Sequence, residues 1–233
     1  MNPLSGVFGE AWELYKAHWK HFFSIAVLVF IVLAALGILL TFILGWLGVI
    51  ISVLINIAGT FWLQGALIQA VSDVRDGRAD LSVSQTFDAV RPKLGTIIVT
   101  GLLLGIAIAI GFALLIAPGL YLVTIWIAVI PAIVLENRGI GESFGRSREL
   151  VRGNGWNVFG VIVLTFLILL GVGLVIGLVL TPVEGWLASL IQQFVTTSFV
   201  TPFIATIWTL VYYRLKSRED EAGAPAPQAE PAA

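Results

Sequence analysis

Residues 94–135 read LGTIIVTGLLLGIAIAIGFALLIAPGLYLVTIWIAVIPAIVL, 42 residues without a Lys, Arg, Asp or Glu. About 20 apolar residues in a helix cross the roughly 30 Å hydrocarbon core of a bilayer, so this stretch holds two crossings and a turn. Pro118-Gly119, near its middle, supplies turn chemistry. Only helices and closed barrels satisfy their backbone hydrogen bonds in lipid. Barrel strands alternate apolar and polar residues, whereas Ile97 to Ile116 is apolar on every face. Helices win.

The same composition recurs on both sides. Residues 22–72 carry no charge, and residues 153–213 carry only Glu184. Gly45-Trp46 and Gly48 mark a turn in the first stretch, and Thr181-Pro182 marks one in the third. The reading is an all-α membrane protein with six transmembrane helices, near 22–44, 46–72, 94–116, 119–136, 156–180 and 186–213. The chain is 58% hydrophobic and 12% charged, against roughly 45–50% and 25% in soluble domains. A water-soluble globular domain is excluded, and so is a disordered chain.

The 13 Lys and Arg residues set the orientation. Lys16 and Lys20 precede the first span. Arg75, Arg78, Arg91 and Lys93 lie between the second and third, and Arg138, Arg146, Arg148 and Arg152 between the fourth and fifth. Arg214, Lys216 and Arg218 follow the last. With six spans all of them fall on one face, which the positive-inside rule makes cytoplasmic. The expected location is a bacterial cytoplasmic (inner) membrane, with both termini inside. Alkaline phosphatase fused after Gly48, Gly119 or Glu184 should be active, and after Arg91 or Lys216 inactive; the opposite pattern overturns the topology. The first apolar run exceeds a signal-peptide core, so no cleaved leader is expected. Zero Cys excludes disulfides and thiolate metal sites.

A short charged segment of helical period precedes each pair of spans. Phe8, Trp12, Tyr15 and Trp19 share one spacing with Val83, Phe87, Val90 and Leu94, and with Ile140, Phe144, Ser147 and Val151. That spacing gathers four residues on one helical face. Glu10-Ala11-Trp12, Gln85-Thr86-Phe87 and Glu142-Ser143-Phe144 occupy equivalent places. The expected unit is an amphipathic interfacial helix plus a transmembrane hairpin, used three times over 1–72, 80–136 and 139–214. The six-span domain then covers 1–216, and the Ala-, Pro- and Glu-rich stretch 217–233 reads as a disordered cytoplasmic tail. Copies of a two-span unit are related by an axis along the membrane normal. Arg146, Arg148 and Arg152 make the third interfacial segment basic, a candidate surface for anionic lipid headgroups or a cytosolic protein partner. Nothing calls for nucleic acid.

Ala117-Pro118-Gly119-Leu120-Tyr121, Trp126, Pro131 and Val134-Leu135-Glu136 begin a longer pattern. It continues through Gly139, Glu142-Ser143-Phe144, Ser147 and Leu150-Val151-Arg152-Gly153. This pattern resembles the bacterial integral-membrane family named after the membrane domain of glycerophosphoryl diester phosphodiesterases. The match is best over 94–180 and weaker, mainly in layout, to about 216. The resemblance implies a six-span bacterial membrane protein. Some members of that family are fused to a soluble phosphodiesterase, while stand-alone members generally have no assigned activity. No soluble segment of this sequence is long enough to hold a barrel enzyme, so the family name carries no activity over.

Catalytic motifs are weak. Gly141-Glu142-Ser143-Phe144-Gly145 spells G-x-S-x-G, but that motif needs a strand–turn–helix and a nearby His, and here it opens an amphipathic helix. Asp73-Val74-Arg75-Asp76-Gly77 has the D-x-x-D-G opening of CDP-alcohol phosphotransferases without the second aspartate pair. Its plainer reading is a solvated turn that includes Asp80. His18 and His21 are three apart without other metal donors nearby, and read as interfacial side chains. No catalytic residue, metal site or cofactor is expected.

Polar residues inside the spans are uncharged. Ser52, Asn56, Thr60 and Gln64 recur every fourth residue on the second span, and Ser189, Gln193, Thr197 and Thr201 on the sixth. Four-residue steps overshoot a 3.6-residue turn, so each set makes a slanting stripe. Interhelical hydrogen bonding is one reading; lining of a polar cavity is the other. The absence of a midplane ionisable group disfavours proton-coupled transport. Small residues at Gly37, Thr41 and Gly45, at Gly101, Gly105 and Ala109, and at Gly173 and Gly177 are expected to let helices approach closely. Pro131 and Pro202 should kink their spans. The functional expectation is a non-enzymatic membrane scaffold or partner-binding module. The alternative is a carrier or channel for a small polar or lipid-derived solute, and an enzyme comes third.

Overall fold

The structure, a computed structural model, describes residues 4–75, 77, 80–183 and 185–223. All regular structure among them is helical. The helices are α1 (Val7–Leu44), α2 (Trp46–Arg75), α3 (Val83–Val90), α4 (Leu94–Leu114), α5 (Ile116–Ile125) and α6 (Val129–Glu136). They continue with α7 (Ile140–Val151), α8 (Gly155–Val179), α9 (Trp186–Val195) and α10 (Thr201–Gly223). Six helical stretches are long and apolar enough to cross a membrane, α3–α4, α5–α6 and α9–α10 each counting as one. This is an all-α membrane protein.

The turns follow local chemistry. Gly45 has φ 56° and ψ −129°, a backbone that only glycine adopts freely, and it reverses α1 into α2. Three residues on, Gly48 lies so close to the Leu40 carbonyl that any Cβ would overlap it. The second turn departs from expectation. It falls at the extended Leu115 (φ −165°, ψ 157°) and not at Pro118-Gly119. Pro118 instead occupies the first turn of α5, where its missing N–H costs no helical bond. Gly119 admits the Phe112 ring against its backbone.

The three charged segments join their spans differently. In the first, helix and span are one continuous α1, broken only at His18 (φ −121°, ψ 18°). In the second, a single 3₁₀ turn at Arg91–Lys93 links α3 to α4. In the third, Arg152–Asn154 interrupt the chain between α7 and α8. The equivalent positions Ala11, Thr86 and Ser143 are each fully buried. Trp12 and Trp19 on the same segment as Ala11 are about half exposed on the protein (50% and 42%), as side chains that face an interface are. Gln85 accepts from the Ser82 N–H at 2.8 Å and Glu142 from the Gly139 N–H at 3.2 Å, satisfying donors that a helix start otherwise strands.

Packing is uneven along the bundle. The end that carries the Lys and Arg residues, here the basic end, holds the cores. One joins Val7 and Ala11 to Val151, Val158, Ile207, Val211 and Leu215. A second joins Phe22 and Ile25 to Leu67 and Val71, and a third joins Ile68, Val90 and Ile97 to Ile133 and Val134. Toward the far end the helices present apolar side chains outward, as lipid permits. In α8 only Val158, Val161 and Thr165 are buried. The glycine pattern reflects this. Gly101 meets the Phe61 ring as expected, but Gly105, Gly173 and Gly177 have nothing within 4 Å of a Cβ position. Close approach is instead made at Gly48, Gly59 and Gly65.

Both prolines act on their helices. Pro131 lacks the N–H that Ile127 would bond, and the span breaks just before it, between α5 and α6. Before Pro202, residues Thr196–Val200 form a π-helical turn, a common response to a disrupted ladder. The chain beyond Ser217 is not a loose tail at first. α10 stays helical to Gly223, held by Arg218 Nη1 donating to Asn154 Oδ1 at 3.0 Å and by Glu219. Composition alone could not show those partners. Residues 224–233 lie outside the described residues.

Candidate functional site

The α5–α6 break strands backbone groups in a dry interior, and α7 repairs it. Ser147, fully buried, donates its hydroxyl to the Ile125 carbonyl at 2.8 Å and accepts from the Ala128 N–H at 3.1 Å. One hydroxyl thus bridges both sides of the interruption. Trp126 and Phe144 close over it edge to face, 5.0 Å between centroids.

At the last residue of α6, Glu136 collects a polar network. Tyr212 donates to it at 2.8 Å, Arg146 Nε at 2.9 Å and Arg138 Nε at 3.2 Å, with Lys216 Nζ 3.9 Å away. Arg146 continues to Glu219 through two parallel bonds of 2.8 and 2.6 Å. The side chains of Glu136 and Arg146 are 9% and 13% exposed. The Glu219 hydrogen bonds foremost, and then Glu136, hold the Arg146 guanidinium above its ordinary range despite desolvation. α6, α7 and α10 are thereby tied together. Neighbouring ties act alike: Arg214 pairs with Glu10 at 2.6 Å, and Arg75 stacks over the Tyr213 ring at 4.2 Å.

This arrangement divides the basic candidate surface. Arg146 is spent on Glu136 and Glu219 and is not available to headgroups or a partner. Arg148 and Arg152 are exposed and, among the described residues, have no carboxylate oxygen within 4 Å. Periodicity put the three arginines on one segment but could not tell which had distant acidic partners.

The polar stripes partly converge. Ser52, Asn56, Thr60 and Gln193 line one open cavity of about 560 Å³, together with Gly37 and Thr41. Asn56, Thr60, Gln193 and Thr197 line an adjoining one of about 450 Å³. The groove lies between α1, α2 and α9, in the loosely packed part of the bundle. Its polar groups are partly satisfied within their own helices. Ser52 Oγ donates to Gly48 at 2.7 Å, Asn56 Nδ2 to Ser52 at 2.9 Å and Thr60 Oγ1 to Asn56 at 2.8 Å. Gln193 Nε2 reaches Thr197 Oγ1 at 3.3 Å. Gln64, Ser189 and Thr201 line neither cavity. Thr201 donates to the Thr196 carbonyl across the π-helical turn.

The remaining motif residues are occupied structurally. Ser143 is fully buried and its hydroxyl donates to Ile140 at 2.7 Å, so it presents no exposed nucleophile. Asp73 Oδ2 accepts from the Leu81 N–H at 3.1 Å, while Asp76, Arg78 and Ala79 lie outside the described residues. His18 Nδ1 lies 3.3 Å from the Leu14 carbonyl, at the break in α1. Among the described residues no group of three or more His, Cys, Asp or Glu could hold a metal ion.

Fold and geometry together define a six-span all-α membrane protein with a locked basic end and a polar groove toward the other. No family model, no curated protein and no solved structure matches the chain.

Proposed function

We propose that the chain is a non-enzymatic membrane scaffold or partner-binding module of a bacterial cytoplasmic membrane, with its basic end and both termini in the cytoplasm. The observation that carries this reading is the lock itself. Three helical segments are clamped at the basic end by ion pairs and buried hydroxyls, which makes a rigid surface. The side chains with chemical potential there, Ser143, Glu136 and Arg146, are consumed by structural bonds. The positive-inside bias supports the orientation. The shared burial of Ala11, Thr86 and Ser143 supports a unit used three times. The resemblance of 94–180 to the membrane-domain family supports the same layout without adding an activity.

The groove favours a second reading, a carrier or channel for a small polar solute. Its convergence of Asn56, Thr60 and Gln193 at membrane depth is what a polar pathway would use. Toward the basic end, however, α2 is closed by Leu63, Ala66, Leu67 and Val71, each at most 2% exposed. Stopped-flow light scattering on proteoliposomes with glycerol as the probe separates the two. A scaffold leaves permeation at the level of empty vesicles. Permeation above that level that disappears in Asn56→Leu/Gln193→Leu overturns the scaffold in favour of transport.

A further inference from the structure

Arg148 on α7 and Arg152 just past its end, neither with a carboxylate oxygen within 4 Å among the described residues, share a cavity. Four residues apart, they line a cleft of about 540 Å³ against α5, beside Tyr121, Ile125 and Gly153. Glu149 also lines it, but that carboxylate leans toward Arg146 at 3.8 Å. Tyr121, Ile125, Gly153 and Gly155 continue into a second cavity of about 590 Å³, lined mainly by apolar groups that include Ala117, Leu120, Trp156 and Phe159. The result is one slot with a cationic mouth and an apolar floor.

Its depth follows from α8. That helix has 25 residues and carries no charge, barely more than a crossing requires, so its first turn stands at the headgroup level. Trp156 in that turn is 87% exposed, as an interfacial tryptophan is. From Ile125 to Ala117 the floor runs eight residues along α5, roughly 12 Å into the apolar part of the bundle at 1.5 Å per residue. The space exists because Gly145, Gly153 and Gly155 carry no side chains there. Gly153, at φ 80°, holds a backbone that other residues rarely adopt.

We propose that this slot is a binding site for an anionic membrane phospholipid, its phosphate between Arg148 and Arg152 and one acyl chain along Leu120, Trp156 and Phe159. Two guanidinium groups without carboxylate partners suit a phosphate, which they bind through charge-assisted forks. The apolar continuation requires a ligand whose charged and hydrocarbon parts are joined. The bilayer supplies that molecule at the right depth. This deepens the binding-module reading and rests on it only in treating the basic end as a binding surface. Glycerol flux through the other groove, which would overturn that reading, leaves the lipid result unchanged.

Native mass spectrometry of the delipidated full chain in detergent, titrated with phosphatidylglycerol or phosphatidylcholine, tests the site. The wild-type protein should prefer phosphatidylglycerol by roughly tenfold or more, given about 1 kcal/mol per basic residue near an anionic headgroup. Arg148→Gln/Arg152→Gln should lose that preference while still binding phosphatidylcholine, which also shows that the variant is folded. Leu120→Trp, which narrows the floor, should weaken both lipids, and Arg91→Gln, on the α3–α4 turn, should change neither. Equal binding of the two lipids by the wild type overturns the proposal, as does an unchanged preference in the double arginine variant. Displacement of phosphatidylglycerol by inorganic phosphate at millimolar concentration also overturns it, since an ion site would not need the chain.

Discussion

Replacing Glu136 with alanine is expected to destabilise the protein by about 2–3 kcal/mol, at the upper range for hydrogen bonds to a charged group. Its carboxylate accepts from Tyr212, Arg146 and Arg138 while only 9% exposed. Its removal leaves the Tyr212 phenol without that acceptor and Arg146 held by Glu219 alone of its two close carboxylates. An exposed pair would be worth about 0–1 kcal/mol, as expected for Lys16 and Glu13, whose side chains are 48% and 72% exposed. Unfolding by SDS in mixed micelles, followed by helical circular dichroism, reads the difference. Glu136→Ala combined with Arg146→Leu should cost less than the sum of the two single changes, because each single change already breaks the same pair. A loss below about 1 kcal/mol would place Glu136 among the exposed pairs and remove its structural role.

The second large effect is expected at Ser147. Ser147→Ala changes one atom yet leaves the Ala128 N–H and the Ile125 carbonyl without their partner at the α5–α6 break. Each buried backbone group left unsatisfied costs about 1–3 kcal/mol. Ser143→Ala is the matched control. Its hydroxyl returns to its own helix at Ile140, so its loss orphans only a carbonyl that retains a second lone pair. Ser147→Ala should therefore unfold at clearly lower SDS, and its Ala128 amide should exchange faster in deuterated buffer. Equal behaviour of the two serine variants would mean that the bridge is not what holds the break.

These two residues mark where sequence reading stops. The spans were legible because charge is excluded from hydrocarbon, and that rule acts on each residue by itself. The Gly45 turn was legible for a similar local reason. Pro118-Gly119 misled, because proline serves a helix start as well as a turn, and the chain used Leu115 for the reversal. Glu136 finds Arg146 ten residues away, but Tyr212 and Glu219 join from α10, beyond any periodicity that could forecast them. Ser147 lay on a predicted helical face, yet nothing in its neighbours says that it repairs a break caused by Pro131 on another helix. The polar stripes were legible one helix at a time. That Asn56 and Gln193 meet in one groove depends on how α9 leans against α1, through Phe194 and Phe30 at 5.3 Å.

The uneven packing also says how each span comes to reside in the membrane at all. α1 and α8 have the most hydrophobic windows, with mean hydropathies of 3.2 and 3.0, and bury 0% and 11% of them in the protein. Each can enter the bilayer as a lone helix, with no neighbour needed to hold it. The α9–α10 span has a mean hydropathy of 1.6 and buries 44% of its window, so the bundle makes up for what lipid does not provide. α2 divides the two provisions along its length: its most apolar window, at 1.9, is 11% buried, while Leu63 to Val74 nearer the basic end pack into the bundle. Its apolar half meets lipid except along the seam with α1, where Gly48 and Gly59 let the two helices close together.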